Sequence, residues 1–168
     1  PNAPTLAGDF YYVAVVDADT DVLLYWLYTG LSNDQAWTAV GPFDLSPWIN
    51  QEIKLEIGTY NDGVGGVTSA YVDEVIMTVC PLHPPMLGCH NLVLNSDFEA
   101  ATDWVISPAN LPSAYDTAYA FSPVQSMRSG VPAGMANPFP NEWTTSEFYQ
   151  PISVTIPLNA HYARLKTR

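Results

Sequence analysis

Basic side chains are scarce in this chain: five Lys and Arg stand against seventeen Asp and Glu, a net charge of −12. Three of the five, Arg164, Lys166 and Arg168, crowd the last five positions. Nothing here can neutralise a phosphate backbone, so no nucleic-acid partner is expected. Such a surface repels anionic lipid and collects divalent cations. No apolar run approaches eighteen residues, so no membrane span is expected. Helical periodicity is missing as well, with 15 Pro and 10 Gly scattered through the sequence. The serine-nucleophile pattern Gly-x-Ser-x-Gly does not occur. The three histidines, His83, His90 and His161, fall in a proline loop, before a strand and near the chain end. No catalytic set assembles, and a glycosidase carboxylate pair normally needs a larger scaffold. The chain is therefore read as a non-enzyme. Asn-x-Ser/Thr is absent too, so that motif predicts no N-linked glycan. The sequence opens on Pro1 without Met, which is read as a processed product or a fragment.

What remains is apolar and aromatic. Hydrophobic residues make up 48% of the 168 positions and charged ones 13%, with ten Tyr, five Trp and six Phe. A chain of this length buries roughly 70% of its unfolded surface, and the composition is not that of a disordered protein. There are only two cysteines, Cys80 and Cys89, flanking Pro-Leu-His-Pro-Pro-Met-Leu-Gly. The favoured reading is a local disulfide, which on the chain-entropy model contributes about 2.5–3 kcal/mol for so short a loop. The alternative is a metal site with His83 and His90, but the spacing is not that of a zinc finger. A paired cysteine, little Lys and many Tyr and Trp point to an extracellular or cell-surface protein.

Strand signals dominate. Phe10–Val16 is a buried run, Asp17-Ala-Asp-Thr-Asp21 a turn, and Val22–Tyr28 its hairpin partner. The acidic turn imitates an EF-hand opening but has Val22 where Gly belongs and Tyr28 where Glu belongs. Trp37–Phe43 predicts a further strand. Gln51–Ile57 alternates, with Ile53, Leu55 and Ile57 on one face and Glu52, Lys54 and Glu56 on the other. Asn61–Gly66 is a turn, and Val67–Val79 supplies a closing strand. Phe148–Ile156 and His161–Thr167 alternate in the same way, while 107–146 predicts long loops with short strands at Tyr115–Ala120 and Ser126–Val131. The fold class is all-β, an antiparallel sandwich.

The order of the signals is unusual. Tyr71–Cys80 reads like the last strand of a sandwich, and Asn91–Glu99, soon after it, reads like the first. Ala163–Arg168 reads as a strand with no return hairpin. Three segments follow: a C-terminal half at 1–79, a Cys-bounded, proline-rich linker at 80–90 and an N-terminal half at 91–168.

Asn91-Leu-Val-Leu-Asn-Ser-Asp-Phe-Glu99 with Asp103-Trp104 resembles the opening of jelly-roll, carbohydrate-binding-module-like (galactose-binding-like) repeat domains of secreted bacterial surface proteins. Ser126-Met-Arg-Ser-Gly130 resembles an early strand of theirs. Phe43-Asp-Leu-Ser-Pro-Trp48, Leu55–Gly63 and Tyr71-Val-Asp-Glu-Val75 resemble their final third. Ser96 departs from the usual Gly, and Glu74 from a common Asp. The two halves stand in swapped order, so joining Arg168 to Pro1 would restore one continuous domain. The resemblance implies neighbouring first and last strands and a structural Ca2+ between them, held by Asp73, Asp97 and Glu99. The plainer alternative has Asp97 capping a turn and Asp73 binding backbone. Trp37, Trp48 and Trp143 are the candidate polysaccharide contacts, whereas Trp26 and Trp104 read as core.

Two functions follow from this phase. In one, copies of the chain assemble head to tail into a non-catalytic extracellular filament, each donating its second half to the next copy. The assembly strands are then those of Phe10, Val13 and Val15 and of Ala163 and Leu165, with the Cys80–Cys89 loop as the joint between sandwiches. In the other, the chain is a single permuted jelly roll that binds carbohydrate.

Overall fold

The computed structural model describes residues 8–32, 35–81, 89–132, 134–150 and 160–167. Pro1 and Arg168, expected to lie close together in a permuted domain, fall outside these residues, as do His83 and residues 151–156 of the strand expected at Phe148–Ile156.

Among the described residues every regular element but one is a strand. They are β1 (Phe10–Asp17), β2 (Leu23–Gly30), β3 (Val40–Asp44), β4 (Ile53–Asn61), β5 (Ser69–Val72), β6 (Ile76–Pro81), β7 (His90–Asn91), β8 (Val105–Ile106), β9 (Ala114–Asp116), β10 (Ser126–Gly130), β11 (Thr144–Gln150) and β12 (Ala160–Thr167). The exception is a 3-10 turn, Ser46–Trp48. The strands form sheets ordered β2-β1-β4-β11-β8, β5-β10-β9 and β3-β12-β6-β7, with antiparallel pairing throughout. The fold is all-β, as the strand patterning predicts.

Alternation explains the core. On β1 and β4 one face carries Val13, Val15, Ile53, Leu55 and Ile57, each at most 4% exposed. They pack with Val72 and Met127 of the three-stranded sheet and Met77 and Val79 of the four-stranded one. Side chains from all three sheets thus share one buried cluster. The second half supplies its aromatic centre: Phe98 and Phe148 are fully buried, with Trp104 stacked on Phe98 at 5.0 Å. The Trp104 indole N–H donates to the Asn95 carbonyl at 3.1 Å, so its polar edge is satisfied on burial. The opposite face of β1 carries Tyr12, Ala14 and Val16, also buried.

Several sequence expectations are corrected. The closing strand over Val67–Val79 divides into β5 and β6, because the Asp73 carboxylate accepts the amides of Phe121 and Ser122 and Glu74 takes a positive φ of 49°. Asn91–Glu99 contains only the end of β7, then turns. Trp26, read as core, is 42% exposed because it stands opposite Ala14 on the outer face of edge strand β2. Ala163–Thr167, read as a strand with no return hairpin, belongs to β12, which lies between β3 and β6 of the first half, with Ala163 opposite Val79 and Leu165 opposite Met77 and Phe43. The turn expected over Asp17–Asp21 does form, with the Asp17 carboxylate accepting the Asp19 and Thr20 amides.

The linker ends are also defined. Cys80 and Cys89 form a disulfide with Cα atoms 4.3 Å apart. Next to it β6 and β7 pair, Val79 opposite His90 and Thr78 opposite Asn91. The last strand of the first half and the first strand of the second are therefore neighbours in one sheet.

Candidate functional site

A cleft of about 520 Å³ is lined by residues of all three sheets, mostly of the five-stranded and three-stranded ones. Six aromatic residues line it: Tyr11 and Tyr12 from β1, Tyr28 from β2, Trp37 from the segment before β3, Tyr71 from β5 and Tyr119 from the loop before β10. Their placement follows from local pairing. Tyr11 shares the inner face of β1 with Val13 and Val15, but lies one step beyond the packed centre. The Tyr11 and Tyr28 rings meet at 5.8 Å and those of Tyr71 and Tyr119 at 5.0 Å, while Trp37 leans edge-on to Phe121 at 6.0 Å. One glycine makes room: a Cβ at Gly30 would stand 2.6 Å from the Tyr11 ring.

Polar groups converge among the rings: Ser32, Gln35, Ser69 and Ser129. No acidic or basic side chain is among the described residues that line the cleft. The combination is an apolar concavity with a few hydroxyls and one amide, the usual form of a site for a neutral organic ligand. Aromatic faces accommodate the C–H face of a pyranose, and hydroxyl and amide groups match its ring hydroxyls.

Of the three tryptophans expected to meet a polysaccharide, Trp37 lines this cleft. Trp48 lies in the 3-10 turn, half-buried against the core and 6.0 Å from the Tyr25 ring. Trp143 is 59% exposed and lies 5.1 Å from Tyr60, away from the cleft. Tyr11, Tyr28, Tyr71 and Tyr119 escaped the sequence reading, since tyrosines in buried-strand runs read as core. The available signal was the density of Tyr at strand ends, beside Gly30 and Asp73.

The expected calcium ligands come together at a different place. Asp73 is fully buried, and its carboxylate accepts the amides of Glu74, Phe121 and Ser122. Glu99 accepts the Val124 amide at 3.0 Å and the Ser122 hydroxyl at 2.7 Å. These bonds, the hydroxyl's first, hold the Glu99 carboxyl below the usual glutamate range. Asp97 enters through its backbone carbonyl, 3.0 Å from Ser122 Oγ. Ser122 Oγ thus has both Asp73 oxygens, Glu99 Oε1 and the carbonyls of Asp97 and Gln125 within 3.3 Å. One hydroxyl proton can serve few of these acceptors. The surplus of hard oxygens fits a divalent cation, although no group of three His, Cys, Asp or Glu side chains gathers among the described residues.

A third cluster was not anticipated from sequence. Tyr12 Oη lies 3.0 Å from both Glu56 Oε1 and Glu147 Oε2 on the outer face of the five-stranded sheet. The Tyr12 ring reaches across side-chain-free Gly58, which is opposite it on β4. Burial, then the Glu147 charge, pushes the Glu56 carboxyl up. Burial, then the two glutamates, pushes the Tyr12 phenol up, so it stays a protonated donor. Trp26 meets this phenol ring edge-on at 4.9 Å. Among the described residues no helix is long and apolar enough to cross a membrane. Compared with known proteins, the chain matches no family model, no curated protein and no solved structure.

Proposed function

We propose that this chain is a non-catalytic, extracellular carbohydrate-binding module whose ligand site is the cleft ringed by Tyr11, Tyr28, Trp37, Tyr71 and Tyr119. The observation that carries this reading is the cleft's lining: six aromatic residues, several hydroxyls and, among the described residues, no acidic or basic side chain, in a chain of net charge −12. Among the described lining residues a phosphate or uronate would find no cation, and an ammonium no carboxylate. A neutral saccharide needs neither. The disulfide supports an oxidising, extracellular setting.

A structural Ca2+ at Asp73, Glu99 and the Asp97 carbonyl belongs to the same proposal. Its role would be to staple chain segments from the two halves, without touching the cleft.

The test is binding of soluble neutral polysaccharides (mixed-linkage glucan, xylan, galactomannan) by affinity electrophoresis and calorimetry, with polygalacturonate as the charged control. Truncating Trp37 or Tyr119 to Ala is expected to weaken binding about tenfold or more, the effect of removing a buried aromatic contact. Absence of binding to the whole panel, or full affinity in the double variant, would sink the reading.

The filament reading keeps a specific footing. In the sheet β3-β12-β6-β7 the strands alternate between the first and second halves of the chain. Such an interface forms equally well within one chain or between copies.

A further inference from the structure

We infer that the Cys80–Cys89 disulfide decides whether the two halves of this chain close on each other or exchange with a second copy. The inference is independent of the glycan reading. It starts from sheet composition. All three ladders of the four-stranded sheet, β3–β12, β12–β6 and β6–β7, join a strand that ends at or before Pro81 to one that begins after Cys89. The β4–β11 and β5–β10 ladders also cross between halves. Within the halves, the described ladders are only β1–β2, β1–β4, β9–β10 and β8–β11. Neither half can satisfy the backbone groups of β3, β6, β7 or β12 alone. Each needs the other half, and another copy offers the same strands.

The disulfide constrains the choice. It holds the Cα atoms of Cys80 and Cys89 4.3 Å apart, immediately beside the Val79–His90 pair. With that tie, β6 and β7 of one chain must leave the same point. Sharing them between two sandwiches would force both sandwiches into the space of one hairpin. Reduction removes the constraint. The S–S bond breaks as a dithiol reductant delivers two electrons and two protons. The products are two cysteine thiols and the cyclic disulfide of the reductant. Cys80 and Cys89 can then separate to about 30 Å, the extended reach of the intervening chain. That distance lets one half pair with the next copy, as a closed dimer or an open head-to-tail series.

The experiment unfolds the full chain in denaturant and refolds it over a range of concentrations, oxidised or with a dithiol, and measures mass by light scattering. The oxidised chain is expected to refold to 18.4 kDa monomers at every concentration. The reduced chain, and the Cys80→Ser/Cys89→Ser variant, are expected to give at least a doubling of mass that grows with concentration. Two differently tagged reduced populations then separate exchange from sticking. Mixed species should form when the populations refold together, and not when folded samples are combined. A reduced chain that stays monomeric, folded or unfolded, overturns the inference. So does an oxidised chain that oligomerises equally, or tagged species that mix after folding.

Discussion

Asp73 and Glu99 come from opposite sides of the Cys80–Cys89 linker, yet both carboxylates lie within 3.0 Å of a single hydroxyl, Ser122 Oγ. Asp73 is fully buried and anchors the break between β5 and β6, while Glu99 anchors the loop before β10. If a divalent cation occupies this oxygen cluster, adding Ca2+ in hundredfold excess over its dissociation constant stabilises the fold by about 2.7 kcal/mol. In a chain of this size the melting temperature then rises by several degrees, and chelation reverses it. An unchanged melt with no metal detected removes the cation from this account. Chelation should leave glycan affinity intact, because the cleft contains neither Asp73 nor Glu99.

The disulfide has a stability effect separable from any exchange between copies. Replacing both cysteines by Ser is expected to cost about 2.5–3 kcal/mol, the loop-closure entropy returned to the unfolded chain. Urea denaturation at low protein concentration measures it, where exchange between copies is disfavoured.

Phe148 is fully buried, with Trp104 at 5.3 Å and Phe98 at 5.9 Å. Phe148→Ala should destabilise by about 3–5 kcal/mol, combining lost transfer energy with an unfilled cavity. The denaturation midpoint should fall with little change in slope. A loss under ~1 kcal/mol would mean that this aromatic centre is not packed as described.

Glu56 and Glu147 share the single Tyr12 hydroxyl. Burial and then the neighbouring Glu147 charge raise the Glu56 carboxyl above its ordinary value. The folded protein therefore binds this proton more tightly than the unfolded one. Its contribution to stability is fully present below the ordinary glutamate range and is lost as pH rises through the raised value. Glu56→Gln should flatten that part of the stability profile and leave the protein more stable at neutral pH by about 1 kcal/mol or less. Glu99 acts in the opposite sense. Its lowered carboxyl contributes stability above the ordinary glutamate range that is lost as pH falls through the lowered value. Melting temperatures across acid and neutral pH for wild type and Glu56→Gln check both signs.

Gly30 offers a test of the cleft that spares its own rings. A methyl group there would stand 2.6 Å from the edge of the Tyr11 ring. The ring's far end can swing away, so Gly30→Ala should weaken glycan binding severalfold with a smaller effect on melting temperature. Equal affinity in the variant would mean that Tyr11 makes no ligand contact.

Much of the fold was legible in the residue pattern because strand burial follows a period of two. Ile53, Leu55 and Ile57 announce the inner face of β4, and each is at most 3% exposed. The all-β class and the pairing of Cys80 with Cys89 are local consequences of composition and spacing. The site was less legible. Trp37 alone among the three tryptophan candidates reaches the cleft, because the cleft gathers residues from all three sheets and from loops far apart in the chain, which strand alternation does not encode.

Sequence by itself therefore determined the all-β class, the inner faces of β1 and β4 and the acidic, weakly basic composition, all properties of single residues and near neighbours. Tertiary structure decided which strands are partners. It placed β12 between β3 and β6, turned the Asp73 carboxylate toward Ser122, and set Tyr12 across Gly58 between two glutamates. Those choices depend on contacts between residues far apart in the chain. Their energies arise only when the two halves are brought together.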